Sequence, residues 1–192
     1  RADAAILQES SGFHAMCKKL LGENVAVLEQ TIQLLDPRQV SRAVDLLRRS
    51  RRVVCMGQGS SMVLSEEAWT LFSTVSPKFL FVPDSHLQMN TLALMDPDEL
   101  VLFFSYSGST RDFQDLLEVL VSRFPKSPGG QLADVVLQCG ADEGPLQAGS
   151  VNARMAQLFV LDVLFQEFCM RAPEETEQSR EQIAEAVARK HL

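Results

Sequence analysis

Four short runs constrain this chain more than anything else in it: "RVVCMG" at 52–57, "KFLFVP" at 78–83, "ELVLFFS" at 99–105 and "DVVLQC" at 134–139. Each is apolar at successive rather than alternate positions, so each has two faces to bury. Between them lie segments of helical spacing, as at Met62, Leu64, Ala68, Leu71, Phe72 and Val75, and again around Leu87 to Leu94. Strands apolar on both faces that alternate with helices predict a parallel sheet covered on both sides, an α/β fold with an open doubly wound sheet.

Helices flank this pattern. Phe13, Met16, Leu20, Leu21, Val25, Leu28, Ile32 and Leu35 recur at three and four and form one stripe of a long amphipathic helix. Asp36-Pro37 opens a second helix, with Asp as N-cap and Pro at the first position, running to about Arg49. Residues 1–50 therefore read as an N-terminal helical linker carrying dimerisation helices, and 51–192 as the sheet domain. Near the end, "VNARMAQLFVLDVLFQEFCM" is strongly helical, and a last helix has acidic residues at its start and basic ones at its end. These apolar helices exceed what one sheet can cover, which favours a homodimer or tetramer.

One interval is too short. A helix over Arg111 to about Leu120 leaves only "VSRFPK" before Ser127 for a further strand and its connection, where a strand-helix-strand unit needs roughly thirty residues. From this spacing either the loop is unusually cut down or residues are lacking between about Leu120 and Phe124, and we expect the second.

Composition narrows the function classes. With a net charge of −7 and no basic cluster beyond "LRRSRR" at 47–52, the surface is a poor footprint for nucleic acid; that run is explained by its place at a helix end. Cys17, Cys55, Cys139 and Cys169 are far apart, with no Cys-x-x-Cys, and Cys55 and Cys169 sit in apolar runs. They read as small core residues in a reducing compartment, not as metal ligands or disulfide partners. The longest apolar run, Met155 to Phe168, is interrupted and too short for a bilayer, so no membrane partner is expected and the cytoplasm is the expected location.

Two loops carry the chemistry. Ligands of open α/β sheets bind beyond the carboxyl ends of strands, where helix N-termini offer N–H groups. Gly57-Gln58-Gly59-Ser60-Ser61 follows the first run and Ser105-Tyr106-Ser107-Gly108-Ser109-Thr110 the third. The first lacks the third glycine of a dinucleotide fingerprint, since position 62 is Met, although Asp84 keeps a nicotinamide cofactor as an alternative. No Gly-Lys-Ser/Thr phosphate loop occurs, and no cofactor or metal is expected. In the second loop one hydroxyl is accounted for as an N-cap. The remaining hydroxyls, around a glycine at one helix start, can converge on a tetrahedral anion.

On these residues the chain resembles the sugar isomerase (SIS) domain, a three-layer, flavodoxin- or Rossmann-like fold that binds phosphosugars. More narrowly, "PDSHLQ" at 83–88, "DVVL" at 134–137 and "NARMAQLFVLDVLF" at 152–165 look like the effector-binding domain of RpiR-type bacterial transcription regulators. The resemblance covers roughly Glu23 to Arg171. It implies that Ser105, Ser107 and Thr110, with Gly108 and Ser109, hold a phosphate, joined by Ser60 and Ser61. It implies that Gly59, Asp84, Ser85 and His86 lie near the sugar. In that family a helix-turn-helix domain comes before this one, and the helix at 13–35 would be the connection from it, so that DNA is met only through that N-terminal domain. The short interval after Leu120 and "SPGGQLAD", where the family more often has a bulky residue after Ser-Pro, depart from the pattern along the sugar-facing wall.

Isomerases of this fold share the serine loops and usually carry a glutamate near the position of Ser85 and a later histidine. Here Asp84-Ser85-His86 stands in the first place, and no histidine occurs from Leu87 to Lys190. Aldose–ketose isomerisation needs a positioned base and acid, so the expectation is a sensor of a phosphorylated sugar or amino sugar rather than an enzyme, with aldose–ketose isomerase as the alternative.

Overall fold

Parallel pairing organises the chain. The computed structural model describes residues 2–108, 117–141 and 150–190. Two helices, α1 (Ala2–Leu34) and α2 (Pro37–Arg49), lead into β1 (Arg52–Gly57), a 3-10 turn over Gly59–Ser61, α3 (Met62–Ser73), β2 (Phe79–Phe81), α4 (Ser85–Ala93) and β3 (Glu99–Phe104). Then follow β4 (Leu117–Ser122), α5 (Pro128–Leu132), β5 (Val135–Gln138), α6 (Val151–Met170) and α7 (Pro173–Lys190). The five strands form one parallel sheet in the order β2-β1-β3-β4-β5. As the sequence pattern predicts, helices cover both faces.

The larger core lies on one face. Val53, Cys55, Leu102, Phe104, Val121 and Leu137 of the strands meet α2, α3 and α6 there. An aromatic cluster closes it at the β2 edge: Phe72 of α3 stacks on Phe79 at 4.3 Å, and Phe165 and Phe168 of α6 meet Phe72 edge-on at 5.4 and 5.3 Å. Such pairs add about 0.5–1.5 kcal/mol each beyond area burial. Val54, Met56, Val101, Phe103 and Leu120 form the smaller core on the other face with Leu92 of α4. Cys55, Cys139 and Cys169 are buried free thiols, as core residues should be. Among the described residues no helix is long and apolar enough to cross a membrane.

Arg48, Arg51 and Arg52 of the basic run at 47–52 are met by carboxylates. Arg51 and Arg52 donate to the buried Glu99 carboxylate at 2.7 and 2.6 Å, and Arg48 reaches Glu175 at 3.3 Å and lies over the Phe168 ring. Burial pushes the Glu99 carboxyl up, but the Arg52 hydrogen bond and the two guanidinium charges outweigh it and hold the carboxyl below its ordinary range.

The expected helix from Arg111 to Leu120 is corrected in its second part: Leu117–Ser122 is strand, paired in register with β3 and β5; residues 111–116 lie outside the described ones. β4 occupies residues 120–122 of the interval in which residues are expected to be lacking. The short interval is the β3–β4 crossover, 105–116, close to the dozen residues that a parallel connection requires.

Placing "LEVLVS" in a strand buries Glu118, 1% exposed, with neither carboxylate oxygen hydrogen-bonded to a described residue. Its neighbour Asp134 accepts instead from the Glu118 backbone N–H, at 2.9 Å. Burial first, and the Asp134 charge second, push the Glu118 carboxyl up to about 8 from 4.5. The folded protein thus keeps a proton that the unfolded chain releases above pH 4.5, and stability falls as pH rises from there to about 8. Glu118→Gln removes this dependence. The stability of the variant relative to the parent, measured by denaturant unfolding, is expected to increase from pH 4 to pH 8 by on the order of a few kcal/mol. A difference that does not change with pH would show that Glu118 is ionised in the folded state.

Candidate functional site

β1 is flanked by β2 on one side and β3 on the other, and successive connections leave it in opposite directions. Such a switch point opens a crevice beyond the carboxyl ends of the two diverging strands. Gly57 is paired with Phe104 in the register, so the loops Gly57–Ser61 and Ser105–Gly108 leave adjacent strand ends at the same level. Both loops that the sequence singles out are thereby brought side by side. Ser109 and Thr110 lie outside the described residues.

The first loop turns back on itself. A Cβ on Gly57 would lie 2.7 Å from the Ser61 carbonyl oxygen, so only glycine permits the return. Gly59 has φ +57°, the left-handed conformation that glycine adopts without strain. The turn delivers the chain into α3; within it the Ser61 N–H donates to the Gln58 carbonyl at 3.1 Å and the Met62 N–H to that of Gly59. Ser60 is exposed at the loop surface. Ser61 is buried, its hydroxyl donating to Oε1 of Gln157 at 3.4 Å, while Nε2 of Gln157 donates to the Val121 carbonyl. Gln157, a buried polar residue in an apolar helix, thus ties α6 to the first loop and to β4.

The second loop is shaped from its β4 side. The Gly108 N–H donates to Oγ of Ser105 at 3.1 Å; that hydroxyl still has its own hydrogen to donate. Ser105 is nearly buried and Ser107 exposed. The Tyr106 carbonyl accepts from Oγ of Ser122 and from the Arg123 N–H, both at 3.1 Å. Gly108 has φ +61° and its carbonyl accepts from the Gly129 N–H at 2.8 Å. A Cβ on Gly108 would lie 2.0 Å from Oγ of Ser127 and 2.8 Å from its Cβ. The loop is wedged against the start of α5.

α4 completes the rim. Asp84 is its N-cap, with Oδ1 accepting from the Leu87 N–H at 2.9 Å, and Ser85 and His86 occupy its exposed first turn. The contact that links this rim to the first loop is Gln88, which sequence reasoning missed: 3% exposed, its Nε2 donates to the carbonyls of Gly57 (3.2 Å) and Val82 (2.8 Å). A glutamine one turn beyond an Asp N-cap carries no signal until its two carbonyl partners are brought together.

A second set of contacts was also illegible. The Tyr106 hydroxyl donates to the Ala141 carbonyl at 2.5 Å, and Nε of Arg123 donates to the same oxygen at 3.1 Å. On the other side of that residue, the N–H of Ala141 donates to Oε1 of Gln30 and that of Gly140 to Oγ1 of Thr31, both at 2.9 Å. Thr31 is fully buried. Ala141 has φ +81°, a strained conformation for a residue with a Cβ. A continuous hydrogen-bonded path thus joins the second loop to α1. Among the described residues no cluster of His, Cys, Asp and Glu suits a metal ion.

Comparison with known proteins agrees with this geometry. The SIS domain family pattern matches residues 46–166. An HTH-type transcriptional regulator of Bacillus subtilis, YbbH, is 27% identical over 161 residues, covering 79% of this chain and 57% of the relative. The chain spans about half the length of the curated relatives it matches. The Vibrio vulnificus NanR protein, solved in complex with ManNAc-6P, superposes with a TM-score of 0.83 at 22% identity, covering 93% of this chain and 72% of that one. The sugar isomerase domain of an RpiR transcription factor from Sphaerobacter thermophilus gives 0.77 at 19% identity, covering 87% and 97%.

The two left-handed glycines separate backbone strain from steric wedging. A Cβ on Gly59 meets nothing within 4 Å, so Gly59→Ala should lose about 1–2 kcal/mol from its dihedral alone. Gly108→Ala adds the overlap with Ser127 and should lose on the order of 1–3 kcal/mol more. Equal losses by chemical denaturation would mean that the second loop is not held against α5.

Proposed function

Because the chain belongs to the SIS domain family, we propose that it is the phosphosugar-sensing part of an RpiR-type transcription regulator of the cytoplasm and performs no catalysis. The observation that carries this reading is the placing of two hydroxyl-bearing loops on neighbouring strand ends at the sheet's switch point. Backbone N–H groups of the two loops and the hydroxyls of Ser60, Ser105 and Ser107, with Ser109 and Thr110, hold the phosphate. Ser61, Gly59 and Gly108 shape the loops, and Asp84, Ser85 and His86 face the sugar. Support comes from the relatives, named as HTH-type regulators, and from NanR, whose fold this chain shares and which was solved with a phosphosugar. The absence of any histidine from Leu87 to Lys190 removes one acid–base group that isomerisation on this fold uses.

Signal transfer follows from the contacts of Ala141. Phosphate held by the second loop fixes Tyr106, Tyr106 fixes the Ala141 carbonyl, and the Ala141 and Gly140 N–H groups hold Gln30 and Thr31 of α1. Residues 1–50 then serve as linker and dimerisation helices. α1 exposes Phe13, Met16, Leu20, Leu21 and Val25, each 45% or more, an apolar stripe suited to a second copy of the chain in a homodimer or tetramer. DNA is contacted by an N-terminal domain of the longer protein, whose arrangement responds because the effector binds one state of the protomers more tightly than the other.

A thermal-shift series that pairs phosphosugars with their unphosphorylated counterparts tests the reading. At a ligand concentration a hundredfold above Kd the folded state gains about 2.7 kcal/mol, a rise of several degrees in Tm. Only the phosphorylated members should produce it, and Ser105→Ala with Ser107→Ala should abolish it. Equal shifts within each pair would refute phosphate recognition, and aldose-to-ketose conversion followed by NMR would refute the non-catalytic role.

A further inference from the structure

The apolar residues of α1 fall into two rows once its contacts are known. One row, Phe13, Met16 and Leu20, continues into Val27 and Thr31, which pack against the sheet domain: Val27 meets the larger core, and Thr31 is fully buried with Oγ1 accepting from the Gly140 N–H at 2.9 Å. The other row is Leu21, Val25, Leu28, Ile32 and Leu35, spaced four, three, four and three. At about 100° per residue it lies roughly a quarter-turn round the helix from the first. It stays outside: Leu21, Val25 and Ile32 are 64%, 45% and 58% exposed. The Leu35 N–H donates to the Thr31 carbonyl at 3.0 Å, so the helical turn carries the row to its last member. We infer, resting on the homodimer reading above, that this second row is the seam by which α1 pairs in parallel, residue for residue, with α1 of a second copy of the chain.

Three observations name that occupant. A spacing of four and three repeats every seven residues, the period that lets two helices keep one seam in contact over several turns. Its members are sorted by position, with the β-branched Val25 and Ile32 at the heptad position a and Leu21, Leu28 and Leu35 at d; β-branched a with leucine d favours two strands in parallel. Second, the flanking charges agree with that orientation. Gly22 and Glu29 stand at e, Asn24 and Thr31 at g. In a parallel pair g faces the e of the following heptad, so each Glu29 carboxylate meets the partner's Asn24 amide, whereas an antiparallel pair sets e against e, and Glu29 against another Glu29 or a glycine. Third, the sheet domain makes room. Ile32 and Leu35 open onto a cleft of about 360 Å³ whose other walls include Val40 of α2 and Phe159 and Val163 of α6. A seam of two heptads is short, and this apolar surface beside it lets the partner helix bury more than the seam alone.

Parallel pairing sets both amino ends of α1 at one end of the dimer. Gln30 and Thr31 accept from the N–H groups of Ala141 and Gly140, and Leu28 and Ile32 of the same turn belong to the seam. The second loop and the partner helix therefore act on one turn of α1.

Cysteine cross-linking of the intact chain tests the seam. Cys17 is exposed, and Cys55, Cys139 and Cys169 are buried, so each variant also carries Cys17→Ser. In a parallel pair every a position meets its own counterpart. Val25→Cys and Ile32→Cys are both expected to form a disulfide-linked dimer under mild oxidation, at least tenfold faster than Ala26→Cys, an exposed position one residue off the seam. An antiparallel pair brings a residue onto its counterpart only where the two-fold axis passes, so linkage at one of the two sites alone overturns the inference, as does linkage at neither or at equal rates in all three variants. Sedimentation equilibrium gives a second reading: Val25→Asp combined with Ile32→Asp, both at exposed positions, should weaken association at least a hundredfold while the far-UV circular dichroism is retained. A double variant that associates as tightly as a dimeric parent overturns the inference and leaves the homodimer reading standing. A monomeric parent overturns both.

Discussion

The pairing of β1 with β3 is the constraint from which the site follows. Parallel strands cannot be joined by a tight turn, so each connection crosses a face and returns to the amino end of the sheet. When β2 lies on one side of β1 and β3 on the other, the chain that leaves β1 and the chain that leaves β3 depart from adjacent ends. Neither loop creates the crevice; the strand order does. What the loops contribute is a backbone able to come close. Gly57 must accept the Ser61 carbonyl within a distance that no Cβ allows, and Gly108 must sit under Ser127 in a left-handed conformation. Glycine at these two places gives the backbone donors and the serines their positions.

Much of this was legible in the sequence, for a definable reason. β1 and β3 announce themselves because central strands buried on both faces have no need of alternating polar positions, and the edge strands β2 and β5 because their runs are apolar at successive positions even though Leu80 is exposed. The serine and glycine loops are legible because their residue types have few other uses in succession. β4 was misread. "DLLEVL" has the spacing of a helix, and a glutamate in it reads as a solvated helix face. Strand burial of Glu118 becomes tolerable only if the carboxyl holds its proton, which Asp134 and the apolar surroundings favour. That is a property of the tertiary environment, and no window of sequence contains it.

The same argument explains the polar residues that sequence reasoning missed. Gln88, Gln30 and Thr31 join parts of the chain that are distant in sequence: Gln88 reaches Gly57, and Thr31 reaches Gly140. A buried amide or hydroxyl needs partners to avoid a penalty of about 1–3 kcal/mol, and these residues find theirs in carbonyls and N–H groups that only the folded sheet edge presents. Gln157 was partly legible, because a glutamine within a run as apolar as α6 must have a partner. Its actual partners, Ser61 and Val121, were not.

Ala141 is where the second loop and α1 meet, and its backbone bonds to both. Its carbonyl accepts from Tyr106 and Arg123, while its N–H and that of Gly140 donate to α1. The residue therefore faces two ways through the two peptide units that flank it, its N–H toward α1 and its carbonyl toward the second loop and β4's end. With φ at +81° in a residue that has a Cβ, Ala141 holds strain that these hydrogen bonds help to maintain. Under the phosphosugar-sensing proposal, a ligand that fixes Tyr106 would strengthen those bonds. On that proposal, a strained residue bonded to both elements is the place where a binding loop and a distant helix would be coupled, because a change at either one alters the bonds that hold it.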